Sequence, residues 1–531
     1  MPAPSSYSPV ISISLSGQRN IDALLSETRW ANNTLTYSFP DYGSVWSVSE
    51  TSGYGPKTGD GEPWRDGFGP LSEPGEGGDQ TYFAQALQAW ADVADLNFVK
   101  VGESANLVGD IRAAYTSPDV GDDGTVAWAY YPDAAAYAGD LWFSKDAVAA
   151  TDYWSPGGFA YLSVLHELGH ALGLKHPFEE SGFVNDVLPV GLENRSYTIM
   201  SYSALPADEF SEFTYEPTTP MLLDVAAIQY LYGVNTSFRA NDSVYAFDDG
   251  ATVHQTLWDA GGTDTLSYNG SQAVTLDLRD GAGSFIGEPV YGVSSSGQLE
   301  NRVANVWIAY GVTLENANGG SGSDVLTGND VSNRLTGGAG NDNLYGGGGV
   351  DTAVYSAARS KYAVYQTSNG WVVQGGASFD SADQLRDVER LAFSDQQVAL
   401  DLQTDENGWQ ALAFIGLMAP GLISDPQVVG TVLDLFDQDY SLLEVCQLAL
   451  DIGLVEEIAG SNTNAALAAL AFYNVVGVPA DGATVDALSG FMDGRYASYS
   501  QAEFMAEVAE LDANLMHMNL SYLQQVGLSY L

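Results

Sequence analysis

Eleven residues constrain the fold of this chain more than any others: His166-Glu167-Leu168-Gly169-His170-Ala171-Leu172-Gly173-Leu174-Lys175-His176. His166 and His170 are four apart, so on a helix they share one face and can chelate a single ion. Gly173 can leave the right-handed helical region at little steric cost, which lets the chain turn back and bring His176 in as a third nitrogen ligand. Three protein ligands leave a fourth position open for water, the mark of a catalytic rather than a structural zinc site. Glu167, beside the first ligand, is where a carboxylate can polarise that water. The chain has five histidines, and three fall at these positions, so an accidental grouping is a poor account. The stretch predicts a helix from about Phe159 to Gly173, then a reversal.

The same motif is the extended zinc signature of the metzincin peptidases. Ser196-Tyr197-Thr198-Ile199-Met200-Ser201-Tyr202 resembles the Met-turn of that family, and Pro177 directly follows the third histidine. Residues 220–235 resemble the helix that closes the serralysin catalytic domain, while 20–25 and 35–40 resemble its opening segments. From about residue 18 to residue 400 the chain is similar to the serralysins, secreted zinc endopeptidases. That resemblance implies one zinc on His166, His170 and His176, and Glu167 as general base. It implies Tyr202 as a phenol donor to the oxyanion and Met200 as an apolar, polarizable floor under the metal. Residues 125–132 read as a strand ending at proline. The resemblance puts that strand, with Trp128, Ala129 and Tyr130, at the sheet edge beside the cleft, where substrate backbone would pair with it.

Beyond Phe238 the character changes to short strands and Gly/Asp turns, and a period of nine emerges. Residues 319–327, 337–345 and 346–354 share Gly-Gly-x-Gly-x-Asp, and residues 328–336 are a degenerate copy with Asn333 in place of the aspartate. The pattern matches the Ca²⁺-binding nonapeptide of parallel β-rolls. Glycines allow a tight turn whose carbonyls face the ion, the aspartate completes the site, and one aliphatic residue fills a narrow core. Gly320, Gly322, Asp324, Gly338, Gly340, Asp342, Gly347, Gly349 and Asp351 are the resulting calcium candidates, with repeat n facing repeat n+2 and weaker sites expected at Asn333. Three further segments resemble serralysin calcium sites: Arg239, Asn241 and Ser243; Asp259, Gly261, Gly262 and Asp264; and Thr313 with Glu315. Ordinary turn aspartates are the alternative there.

At 531 residues several domains are expected, and 45% hydrophobic content is enough for real cores. A net charge of -50 argues against nucleic acid or an anionic membrane surface as partner. No apolar run approaches the length of a membrane span. The single cysteine, Cys446, rules out an intramolecular disulfide and sits in an apolar helical pattern, so it reads as a buried small side chain. The N-terminal stretch carries no signal-peptide pattern. Together with the repeats, this suggests a bacterial protein exported without an N-terminal signal.

The expected architecture is multidomain. An N-terminal arm or propeptide (1–18) precedes an α+β metzincin catalytic domain (19–236). A parallel β-roll and β-sandwich calcium domain (237–403) and an all-α C-terminal domain (404–531) follow. The segment 51–79 reads as loop, residues 82–96 as a helix and 362–402 as β structure; 470–482 resembles a helical domain appended to exported repeat proteins. The functional expectation is a monomeric secreted endopeptidase acting on protein and peptide substrates, with one catalytic Zn²⁺ and several structural Ca²⁺. The rival is a calcium-dependent adhesive or matrix-binding protein with a vestigial protease domain, against which the intact ligand set and Glu167 count.

Overall fold

The computed structural model describes residues 8–55, 68–72, 78–116, 126–145, 154–180, 186–375, 382–494 and 497–531. It divides into two compact units, one of residues 1–270 with 274–314 and one of 271–273 with 315–531.

In the first unit a sheet runs in the order Asn97–Lys100, Thr34–Ser38, Ile111–Thr116, Asp140–Ser144, Ala127–Ala129, with Gly69–Pro70 beside Ile111–Thr116. The first four strands are parallel, and Ala127–Ala129 closes the row antiparallel to Asp140–Ser144. Every residue of Ile111–Thr116 and Asp140–Ser144 is buried, as expected of central strands covered on both faces. Helix Asp79–Val93 packs on helix Phe159–Leu172, where Trp90 Nε1 donates to the Leu165 carbonyl at 3.2 Å. Phe159–Leu172 buries all of Ala160–Leu172, which is why its polar side chains must find partners inside the protein. Residues 8–18, expected to be propeptide, run along this unit: Val10–Ser12 pairs antiparallel with Thr28–Trp30, and Ser8 N donates to Asp110 Oδ1 at 2.7 Å. Residues 1–7 lie outside the described residues, as do 56–67 and 73–77 of the 51–79 loop. Further along the same unit, the hairpin Val290–Val293/Leu299–Val303 adds Glu212–Phe213 as a third strand.

The second unit holds two ladders of short parallel strands. Asn316–Asn318, Arg334–Thr336, Thr352–Val354 and Arg390–Ala392 form one; Val325–Thr327, Asn343–Tyr345 and Asp383–Arg386 form the other. Strands two repeats apart pair, and the aliphatic residues Leu326, Leu335, Leu344 and Ala353 are all buried between the ladders. Helices from Asn407–Met418 to Leu520–Val526 follow. Their core includes Cys446, fully buried, and takes in Ala399, Leu402, Leu528 and Tyr530. The expectation of an all-α tail is corrected at its end. Gly527 (φ 82°) ends the last helix, and Leu528–Tyr530 pairs antiparallel with Gln397–Ala399, a strand edge that would otherwise expose its backbone groups.

Candidate active site

The Nε2 atoms of the three motif histidines converge. His176 Nε2 lies 3.1 Å from His166 Nε2 and 3.0 Å from His170 Nε2. Each Nδ1 faces an oxygen: Ile199 O at 2.7 Å from His166, Leu174 O at 2.8 Å from His170, and Glu179 Oε1 at 2.8 Å from His176. A carbonyl or carboxylate oxygen can only accept, so each Nδ1 carries the hydrogen and each Nε2 presents a lone pair. Burial pushes His166 down to about 4 and His176 to about 3, and His170 well below its ordinary value, so all three are neutral at pH 7. Three neutral nitrogen lone pairs aimed at one point repel one another unless a cation sits among them. Tetrahedral Zn–N geometry asks for N···N separations of roughly 3.3 Å, close to what is found. The donor set therefore fits a zinc ion, and the three histidines form a metal-capable group among the described residues.

The chain reaches this geometry by local means. Gly173 caps the helix at φ 107°, and a Cβ there would stand 2.6 Å from the Thr28 carbonyl. One turn earlier, a Cβ on Gly169 would lie 2.5 Å from Met200 Sδ, so the missing side chain makes room for the fully buried methionine. Asp224 holds the segment carrying Met200. Its carboxylate accepts from Thr198 Oγ1 (2.6 Å), Ile199 N (2.8 Å) and Met221 N (2.9 Å).

Glu167 is buried and lines a cleft of about 430 Å³ together with Val126, Ala127, Leu162, Tyr202 and Phe210. Its Oε2 has no hydrogen-bond partner, and burial pushes the carboxyl up to about 8 against the pull of the Ala129 N–H. A dication on the imidazoles would lower it again. Tyr202 is 42% exposed, its ring centroid 5.8 Å from that of His166 and 4.5 Å from that of His176. Burial, then the neighbouring carboxylates, push its phenol up to about 12, so it keeps its proton as a donor. Along the strand, Val126 O accepts from Ser144 N (2.8 Å) and Tyr130 N donates to Asp140 O (3.1 Å), so these residues and Trp128 face the sheet. Ala127 and Ala129 then turn their backbone groups to the free edge. The Trp128 and Tyr130 side chains pack against the cluster of Trp46, Tyr54 and Trp142.

Three residues that sequence reasoning passed over also shape the site. Glu179 orients His176. Arg195 pairs with Glu216 (2.8 Å) and donates to the Tyr202 carbonyl (2.6 Å) and the Ser211 carbonyl (2.8 Å). Asp224 is the third. A signal for Arg195 existed: with 18 basic residues in 531, a cation close to the zinc motif is conspicuous.

A family model described as Matrixin matches residues 76–198, and one described as Peptidase M10 serralysin C terminal matches 223–412; together they take in more than half of the chain. The chain is a serralysin-like metzincin. It is 35% identical over 282 residues to the serralysin of Proteus mirabilis, covering 47% of this chain and 53% of that protein. It is 34% identical over 270 residues to the serralysin of Photorhabdus luminescens (47% and 52%), and 34% over 274 residues to metallopeptidase AprA of Pseudomonas marginalis (47% and 54%). The chain thus spans about half the length of the curated relatives it matches. For this serralysin-like metzincin, no helix among the described residues is long and apolar enough to cross a membrane.

The calcium candidates fall in both units. In the first, Ser243 N donates to Asp264 Oδ1 at 2.7 Å, and a Cβ on Gly262 would meet the Asn241 backbone at 2.7 Å, so these two segments are in contact. Asp259 accepts from Tyr245 Oη (2.7 Å) and Gly261 N (2.9 Å), and Arg239 takes φ 51° with its guanidinium over the Tyr245 ring. Thr313 lies next to Leu314, where the first unit ends, and Glu315 opens the long segment of the second. In the second, Asp324 N donates to Asp342 Oδ1 (2.8 Å) and Asp342 N to Asp383 Oδ1 (3.0 Å). Likewise Asn333 N donates to Asp351 Oδ1 (2.7 Å) and Asp351 N to Glu389 Oε2 (2.8 Å). Gly320 N caps Asp324 Oδ2 at 2.9 Å, and Asp351 Oδ2 is buried without a partner. Gly338 (φ 99°) and Gly340 (φ 131°) let the turn approach the carbonyls of Gly320 and Gly322, where any Cβ would clash at 2.0 and 1.8 Å; in the next repeat a Cβ on Gly347 would meet the Asn329 carbonyl at 2.3 Å and one on Gly349 the Ser332 backbone nitrogen at 2.7 Å.

Proposed function

We propose that the protein is a secreted zinc-dependent endopeptidase that hydrolyses internal peptide bonds of extracellular proteins. One observation carries the reading: three neutral imidazoles aim their Nε2 lone pairs at a single point beside a buried carboxylate whose Oε2 has no partner. Zinc bound there would supply Lewis acidity toward a peptide carbonyl and toward water. Substrate backbone pairs in extended form with the outward groups of Ala127 and the Ala129 carbonyl, laying the scissile bond across the cleft. Glu167 takes a proton from the attacking water and returns it to the leaving amine. The Tyr202 hydroxyl donates to the oxygen on which negative charge develops, and Arg195 holds the Tyr202 backbone in place.

The remaining features support a calcium-stabilised exported protein. Residues 237–403 act as a β-roll and sandwich domain, with Asp259, Asp264, Glu315, Asp324, Asp342 and Asp351 as carboxylate ligands. Burial and the charges of Glu389 and Asp387 push Asp351 up to about 7, a repulsion that a divalent cation relieves. Residues 19–236 form the peptidase domain and 404–531 a helical domain; the protein acts as a monomer and leaves a bacterial cell by a signal-peptide-independent route.

Casein hydrolysis by the protein in Ca²⁺, beside Glu167→Gln and a zinc-chelated sample, tests the reading. Glu167→Gln should retain one zinc per chain by metal analysis yet cleave at least about 100-fold more slowly. Turnover that persists in the zinc-free sample, or in Glu167→Gln, overturns the mechanism.

A further inference from the structure

Lys175 precedes the third histidine, but its side chain turns inward and is fully buried. Its ammonium is met by carbonyls alone: Ala23 O and Glu179 O at 2.6 Å each, Asp186 O at 3.2 Å, and His176 O at 3.4 Å. None of the ion pairs among the described residues includes it. A buried cation is tolerated only when its donors are met, and carbonyl oxygens gathered on one point repel one another without a cation. Each side therefore holds the other in place.

The carbonyls come from two parts of the chain. Ala23 ends the short helix Arg19–Asp22 near the N-terminus. Glu179 and Asp186 belong to the stretch that follows His176. The backbone makes the same connection: Lys175 N donates to Leu24 O (2.7 Å), Leu25 and Leu174 form an antiparallel bridge, and Ser26 N donates to Gly173 O (2.9 Å). Glu179 is gripped twice, since its carbonyl takes the Lys175 ammonium while its Oε1 takes His176 Nδ1. The ring that must face the metal is thus oriented by a residue that Lys175 holds. Asp22 secures the far side by accepting from Ser16 N (2.7 Å) and Gly17 N (3.1 Å).

We propose that Lys175 is a positioning residue, an internal ammonium that clamps the turn bearing His176 onto residues 22–26, so that zinc affinity and the order of that N-terminal segment are coupled. The proposal rests on the zinc reading above. Outer-sphere partners of metal-bound histidines typically govern affinity by about 10–100-fold, and a loss of that size is expected in Lys175→Met and Lys175→Ala. Zinc affinity is measured by competition with a chromophoric chelator, and the d–d spectrum of the cobalt-substituted protein reports ligand geometry. In Lys175→Ala, added propylammonium replaces the deleted atoms and should recover affinity, whereas tetramethylammonium at equal ionic strength should not. The coupling is reciprocal. In the unsubstituted protein, zinc loading should therefore slow amide exchange in residues 22–26 as well as in 173–180. That measurement stands even if both variants fail to fold. Folded variants with zinc affinity within twofold of the parent, or exchange at 22–26 unmoved by zinc, overturn the clamp and leave the peptidase reading intact. A parent protein that takes no zinc overturns both.

Discussion

Replacing Asp224 by alanine tests how the metal floor is built. The carboxylate is fully buried and accepts from two backbone N–H groups, Ile199 and Met221, and from the Thr198 hydroxyl. The hydroxyl can rotate to another acceptor, but the two amides cannot follow. A buried donor left without a partner costs about 1–3 kcal/mol, so Asp224→Ala should destabilise the first unit by about 2–6 kcal/mol. Ile199 also supplies, from its following peptide, the carbonyl that orients His166 (2.7 Å), so zinc affinity should fall by about 10–100-fold as well. Asparagine should behave differently. Its carbonyl oxygen can serve both amides and its NH₂ can donate to Thr198 Oγ1, so Asp224→Asn should cost less than about 1.5 kcal/mol. That contrast holds because burial already pushes Asp224 up to about 7, so acceptor geometry rather than negative charge is what the site uses. Urea unfolding followed by tryptophan fluorescence in Ca²⁺ without zinc, with zinc titrations on the same samples, gives both numbers. An alanine variant within 1 kcal/mol of the parent, or an asparagine variant as damaged as the alanine one, would refute the reasoning.

Tyr202→Phe should lower kcat at least tenfold with little change in KM, measured on a fluorogenic peptide; an unchanged kcat removes the hydroxyl from the oxyanion role. Burial pushes Asp140 up to about 7 despite the nearby Arg112 guanidinium. Its folded pKa lies above its unfolded one, so its contribution to stability is complete below about pH 4 and is lost as pH rises through about 7, at up to about 1.4 kcal/mol per pH unit. Asp140→Asn should flatten that slope in denaturation curves taken from pH 4 to 8, and parallel slopes in the two proteins would count against it. Burial pushes the Cys446 thiol up to about 12. It should resist thiol reagents in the native protein and react within minutes in denaturant; rapid native labelling would place it elsewhere than in the helical core.

Much of the site is local in origin and so legible in the chain. The helix Phe159–Leu172, its end at Gly173 and the return of His176 follow from spacing and one glycine. Pairing of strands two repeats apart follows from the period of nine, because each repeat strand turns a single aliphatic residue inward and must stack to cover it. Other features left little local trace. Helix Asp79–Val93 begins three residues before the expected start, at a Gly78 N-cap without a side-chain bond. Asp383 and Glu389 extend the aspartate columns from outside the repeats, Asp383 through a ladder that joins Asn343–Tyr345 to Asp383–Arg386 across an intervening hairpin and Glu389 beside the ladder of Thr352–Val354 with Arg390–Ala392.

What the sequence determined by itself is the chemistry within one turn or one repeat: which nitrogens can meet, where the chain can reverse, and which carboxylates recur. Tertiary structure decided what holds those groups in place. Asp224 reaches the Met200 turn from 25 residues away, Arg195 reaches Glu216 across 21, and the Lys175 ammonium reaches Ala23 across 152. These partners are single polar residues without periodicity. Their role arises only when burial removes water and each donor must find an acceptor in whatever part of the chain the fold has brought near.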